Sequence, residues 1–224
     1  MSQPTGPAVD TTPASKPAAV TMRGRYGFVE KFVAANHTRR LWDAIEGDDE
    51  LWTYMWHGPF AARADFDRFA ETLEKRDDLY AYAIVDNAGN ALGVATLMEI
   101  RPANRVIETG GIFYAKALRH TPLATEAQFL LMQYAFEELR YRRYEWKCDA
   151  FNAPSRRAAE RFGFTFEGIF RQHMIVKGRN RDTAWFSITD HEWPSRKAAF
   201  EAWLQPANFD ANGRQKKKLE AFRA

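Results

Sequence analysis

The order in which two hydrophobic periods alternate most constrains what this chain can fold into. "YGFVEKF", from Tyr26, can start as a strand. "NHTRRLWDAIE" then sets Leu41, Trp42 and Ile45 on one helical face behind Asn36 as a candidate N-cap. An aromatic connector, "LWTYMWHGPF", leads to a second helix from Asp65 to Lys75, with Phe66, Phe69 and Leu73 at helical spacing. "LYAYAIVDNAGNALGVATLMEI" reads as a hairpin and "VIETGGIFYA" as a further strand. Thr121 as N-cap and Pro122 at the first helical position open a strong helix. "YRRYEWKCDAF" alternates again, with Tyr144, Trp146, Cys148 and Ala150 on one face. A short helix, two strands joined by "KGRNRD" and a terminal helix over 195–204 follow. Strand, two helices, three strands, helix, strand, helix and two strands make a single mixed α/β layer domain, with no internal repeat.

What surrounds that pattern narrows it. The chain has 224 residues, 46% of them hydrophobic, enough for one globular core. No apolar run approaches the ~18 residues of a membrane span. The opening twenty residues have neither a basic start nor an apolar centre and read as a floppy leader, not a signal peptide. The expected division is a disordered leader over 1–22, the domain over 23–194, and a helix with a basic tail over 195–224. Cys148 is the only cysteine, which excludes an internal disulfide and a cysteine-built zinc site; it reads as a small buried filler. A cytoplasmic address fits that usage. Residues 207–224 hold five basic side chains against Asp210 and Glu220, so the whole net charge of +3 resides in the tail. The folded body has no basic excess, and nucleic acid is expected, if anywhere, only on that tail. The tail reads as a basic appendage to the domain.

"NAPSRRAAERFGF", Asn152 to Phe164, is a turn opener leading into a short helix closed by Gly163. Arg156 and Arg157 sit in its first turns, where the helix dipole is already positive and added positive charge costs about a few tenths of a kcal/mol. Two explanations stand. Arg156 can pair with Glu160 at i, i+4 on an ordinary solvated helix, or the arginines can meet a phosphate, which reverses the sign of the dipole cost.

Three segments, "LATEAQFLLMQYAFEEL", "NAPSRRAAERFGFTFEGIFRQ" and "KGRNRDTAWFSITDHEW", occur in an order and at separations that resemble the GNAT superfamily of acyl-CoA-dependent N-acyltransferases. The likeness covers roughly residues 24–194 and is closest to the branch of ribosomal-protein N-terminal acetyltransferases. It implies an α/β fold with a mixed, mostly antiparallel central sheet flanked by helices. It also implies transfer of an acetyl group from acetyl-CoA, without a metal, to a primary amine on a protein N-terminus or a small molecule. A homodimer is left open. The alternative is a non-catalytic acyl-CoA-binding or scaffold protein on the same fold.

Carried over residue by residue, the resemblance places the cofactor's phosphates against Arg119, His120, Thr121, Leu123, Ala124 and Thr125, with Arg156 and Arg157 opposite. Ile112, Phe113 and Tyr114 fall on the strand that meets the acyl arm, where a backbone N–H would hold a developing oxyanion. Asn152 would contact the pantetheine, or else serve as an N-cap. The family loop R/Q-x-x-G-x-G/A reads Arg-His-Thr-Pro-Leu-Ala here, so Pro122 removes one N–H donor. The tyrosine that protonates the thiolate in many relatives is Ala159 here, which leaves Ser155 as the candidate acid or as a helix-start hydrogen-bonder. Glu108 is the candidate base, or a solvent-facing strand residue. Trp52, Tyr54, Trp56 and Phe60 are either an aromatic acceptor groove or core.

Overall fold

The computed structural model describes residues 3–223; Met1, Ser2 and Ala224, at the ends of the expected leader and tail, lie outside them. Eight strands form one sheet: β1 (Thr21–Arg23), β2 (Gly27–Lys31), β3 (Leu79–Asp86), β4 (Ala91–Arg101), β5 (Val106–Tyr114), β6 (Arg143–Asp149), β7 (Thr165–Val176) and β8 (Arg179–Thr189). Their spatial order is β1-β2-β3-β4-β5-β6-β8-β7, and every neighbouring pair is antiparallel except β5 and β6. This is the mixed, mostly antiparallel sheet that the resemblance implies.

The central strands alternate small and large apolar residues because both of their faces are covered. On β3, Ala81, Ala83 and Val85 join Phe32, Trp42 and Phe66 in a core beneath α1 (Ala34–Ile45) and α2 (Arg63–Lys75). Tyr82 and Ile84 point the other way, into a larger core under α3 (Pro122–Gln133), α4 (Ala153–Phe162) and α5 (Trp193–Trp203). Over β6 and β8 an apolar core lies on one side of the sheet only. Tyr144, Trp146 and Cys148 of β6 and Ala184 and Phe186 of β8 belong to the larger core, whereas the alternate residues of both strands belong to neither core. Those alternates are mostly polar, and Glu145, Thr183 and Ser187 are buried, so this half-face is where a site can form.

Four details differ from the reading of the sequence. First, α1 begins at Ala34, and no side-chain oxygen caps it; the Val33 N–H donates instead to His37 Nδ1 at 3.0 Å. Second, the loop expected at "KGRNRD" shrinks to Lys177 and Gly178, both at positive φ, so β7 and β8 run on almost to the tip. Third, residues 14–22 of the expected leader are ordered. Buried Tyr82 and Tyr134 must satisfy their hydroxyls; Tyr82 donates to the Ala18 carbonyl at 3.0 Å and Tyr134 accepts from the Ala18 N–H at 3.1 Å. Thr21–Arg23 then pairs with β2.

Fourth, the tail is no appendage. Leu219 is buried, and Asn208 holds the returning chain by donating to the Trp203 and Lys217 carbonyls at 3.1 and 3.2 Å. Arg223 donates to the Glu160 carbonyl at 3.1 Å and also to that of Arg161, satisfying carbonyls at the end of α4. The lysine run hid anchors that are spaced too widely to show a period.

Candidate active site

The sheet opens at its only parallel pair. β5 and β6 are in register from Val106↔Arg143 to Thr109↔Trp146 and then part. On its other side β5 skips register: β4 pairs Thr96 with Gly110 and Val94 with Phe113, so Gly111 and Ile112 have no partner on either neighbouring strand. Gly111 has φ +55°, a backbone state that side chains resist. A Cβ on Gly110 would fall 2.5 Å from Met98 Sδ. Two glycines therefore place unpaired backbone at the mouth of the split. A cavity of about 350 Å³ fills the opening.

Of the expected site residues, Glu108, Ile112, Asn152, Ser155, Tyr54 and Trp56 all line this cavity. Glu108 is not solvent-facing. It is 5% exposed, and Lys147 Nζ stands 2.7 Å from its Oε2. Burial pushes its carboxyl up to about 7, with Lys147 opposing the shift and the acids Glu145 and Glu99 adding to it. Lys147 also lies 3.4 Å from Glu145 and 4.0 Å above the Trp185 ring. Glu145 in turn receives Arg143 at 2.8 Å, and Arg101. Arginine pairing thus holds Glu145 ionised below the usual carboxylate range despite its burial, so two adjacent carboxylates are pushed in opposite directions.

Ser155 and Asn152 come from the start of α4, on the other side of β6. Asn152 is the N-cap: its Oδ1 accepts from the Ser155 N–H at 3.1 Å. The Ser155 hydroxyl caps nothing; it accepts from Trp146 Nε1 at 3.0 Å, and its proton can be donated to a sulfur, as its interaction with the neighbouring Cys148 thiol indicates. Cys148 is buried beside it, as expected of a filler, and burial raises its thiol pKa.

Other expectations separate from the cavity. Trp52 and Phe113 are core, with ring centroids 5.3 Å apart, and Phe60 stands 5.0 Å from Trp52, so these two aromatics of the connector are packing and not acceptor groove. The rest of the connector closes over the cavity. Tyr54 Oη donates to the Phe151 carbonyl at 3.1 Å, and Lys177 Nζ donates to the Trp52 carbonyl at 2.8 Å. In the segment expected to meet the phosphates, Arg119 is occupied structurally: Nε donates to the Tyr114 carbonyl at 2.9 Å and Nη2 to buried Asp48 at 2.6 Å. The Ala124 N–H is taken by the Thr121 hydroxyl at 3.2 Å, and the Leu123 and Ala124 side chains are buried. His120 is exposed at φ +62°, and the Tyr114 hydroxyl accepts from Gln128 at 2.7 Å.

The α4 arginines divide between its flanks. Arg156 turns towards β7, donating to the Ala150 carbonyl at 3.3 Å and lying over Phe166, and forms no ion pair with Glu160. Arg161 crosses to α3 and donates to Thr125 Oγ1 at 3.0 Å. Arg157, exposed and one turn before Arg161, shares the flank nearer α3.

Reasoning from sequence missed Lys147, Trp185 and Arg181. The available signal was the polar half of "YRRYEWKCDAF", where Glu145, Lys147 and Asp149 alternate with the buried residues.

Among the described residues no helix is long and apolar enough to cross a membrane. The GNAT acetyltransferase domain family matches residues 30–165, more than half of the chain. A GCN5-related N-acetyltransferase from Brucella melitensis superposes with a TM-score of 0.92 at 52% identity, covering 95% of this chain and 97% of that one. A protein from Chromobacterium violaceum ATCC 12472, described as a probable acetyltransferase of the GNAT family, gives 0.79 at 39% identity, covering 86% and 100%. The Bacillus subtilis (strain 168) "Putative ribosomal N-acetyltransferase YdaF" is 33% identical over 109 residues, 49% of this chain and 59% of that protein. The chain thus spans little more than half the length of that curated relative. The mixed, mostly antiparallel sheet and these matches agree: the chain belongs to the GNAT family of N-acetyltransferases and is an acyltransferase enzyme.

Proposed function

We propose that the protein transfers an acetyl group from acetyl-CoA to a primary amine by direct attack, with Glu108 as the base. The buried Glu108–Lys147 pair at the split between β5 and β6 carries this reading. A carboxyl near 7 is half ionised at neutral pH, close to the optimum for a proton acceptor working there. Acetyl-CoA, when bound, supplies an acyl group activated as a thioester. Its acyl end suits the residues around the split: unpaired backbone at Gly111 and Ile112 for the carbonyl oxygen, and the Ser155 hydroxyl for the departing sulfur. The phosphate end has fewer donors than the family pattern implies, since Arg119 and the Ala124 N–H are engaged. The start of α3 and Arg157 are the groups left to hold it. Tyr54 and Trp56 close the acceptor side.

The homodimer is supported by the edge strand β7, which exposes Phe166, Ile169, Phe170 and Ile175. Thiol release from acetyl-CoA with a panel of primary amines tests the reaction. Amine-dependent turnover that falls steeply in Glu108→Gln supports it; release that ignores the amine refutes it.

A further inference from the structure

Arg181 has a position that the transfer chemistry does not use. It is 8% exposed, lines the same cavity, and its Nε is buried with no hydrogen-bond partner among the described residues. No carboxylate of the described residues lies within the 4.0 Å of a salt bridge from it. Its guanidinium carbon lies 5.6 Å from the centroid of the Trp56 ring. Asp149 and Glu108 act on it only through space. Glu108 is paired with Lys147 at 2.7 Å, and Asp149 Oδ1 accepts from the Phe151 N–H at 2.8 Å. A buried guanidinium nitrogen without a partner is costly to the fold and is kept only where something offsets it.

The sheet's alternation decides which ligand it can meet. Trp185 stacks on Lys147, so Thr183 and Arg181, two and four residues before it on β8, share the Lys147 face. Trp146, one position from Lys147, contacts Ser155 of α4 on the opposite face. The starts of α3 and α4, which would take the phosphates, are therefore across the sheet from Arg181. On Arg181's own face the order along the strands is Glu108 with Lys147, then Asp149 with Thr183, then Arg181.

We infer that Arg181 binds an anionic group, a carboxylate, on the amine acceptor, held several ångströms beyond the reacting nitrogen. The assignment rests on the transfer reading and narrows it to carboxylate-bearing amines. The carboxylate can come from a free amino acid with a spacer or from an acidic side chain near a peptide N-terminus, because both present a planar pair of oxygens to the guanidinium fork.

The test uses acid–amide pairs that differ in charge alone: 4-aminobutanoate against 4-aminobutanamide, and glycyl-glutamate against glycyl-glutamine, each peptide amidated at its C-terminus. Thiol release is measured for the wild type, Arg181→Met and Arg181→Lys. At least one acid should exceed its amide by about tenfold or more in kcat/KM, the size of one charge-assisted contact. Arg181→Met should abolish the preference and Arg181→Lys should restore part of it. Whichever pair shows the preference identifies the source of the carboxylate. Equal use of acid and amide in both pairs, or a preference that survives in Arg181→Met, overturns the inference.

Melting of the same proteins with coenzyme A present supplies a second readout. Arg181→Met should melt no lower than the wild type, and an acid should raise the melting temperature of the wild type alone. If no amine is turned over, the transfer reading fails, and this melting difference alone decides the Arg181 assignment. A variant that melts well below the wild type, or acids that stabilise both proteins equally, would overturn it.

Discussion

Replacing Glu108 with Gln should change how stability depends on pH as well as the rate. The carboxyl moves from 4.5 in the unfolded chain to about 7 in the fold. At about 1.4 kcal/mol for each tenfold change in proton affinity, that rise is worth about 3 kcal/mol. A raised pKa means the folded state holds a proton that the unfolded state releases. Its contribution is therefore fully present below pH 4.5 and is lost as pH rises through about 7. Above pH 8 the wild type must carry an ionised, buried Glu108. Glu108→Gln keeps the shape, cannot ionise and does not pay that cost. The variant also leaves Lys147 without its 2.7 Å partner, but Glu145 at 3.4 Å stays ionised over this range, so that loss is a nearly constant offset. Urea unfolding of both proteins from pH 4.5 to 9 isolates the effect, because every other titrating group is common to the pair. The variant should gain about 3 kcal/mol on the wild type across the range. Parallel stability curves would show that Glu108 titrates normally and would remove the physical basis for its role as a base. In the same buffers the wild-type kcat/KM should rise with pH through about 7. Lys147→Met, which takes away the opposing cation, should move that rise to higher pH.

Ser155→Ala should lower kcat by about 10–100-fold with little effect on coenzyme A affinity, since a thiol leaves tolerably even without an acid; steady-state kinetics with calorimetry separates the two. Arg157→Ala should weaken coenzyme A by about tenfold or more, whereas Arg156→Ala, turned towards Ala150 and Phe166, should change the isotherm little. Leu219→Ala, at a position 1% exposed, should cost about 2–5 kcal/mol in urea unfolding, and removal of residues 207–224 should lower the melting temperature.

The elements of this fold were legible because their periods are strong and their punctuation is local. Thr121 caps Ala124 and Pro122 opens α3, as the sequence suggests, and Gly163 closes α4 at φ +92°. What was lost lies in segments whose reason to be ordered is elsewhere. Nothing within residues 14–20 says that two tyrosines, at positions 82 and 134, need the backbone of Ala18. Nothing around Leu219 announces a core, because its lysine neighbours at 216–218 dominate the composition. Both errors equate local polarity with disorder, where the deciding term is a buried partner far along the chain.

The site follows the same rule more sharply. Glu108, Lys147 and Arg181 stand on three different strands, and only the registers Glu108↔Glu145 and Asp149↔Thr183 bring them onto one face. A shift of one residue in either ladder would carry Lys147 or Arg181 into the apolar core beside Trp146. The apolar alternates, Tyr144, Trp146 and Cys148 on β6 and Ala184 and Phe186 on β8, make that slip costly, because it would expose them instead. The core residues thereby set the register that assembles the charged face. Their alternation was readable from the sequence, and the charges it aligns were not, because a polar residue on a strand carries no sign of which strand it will face.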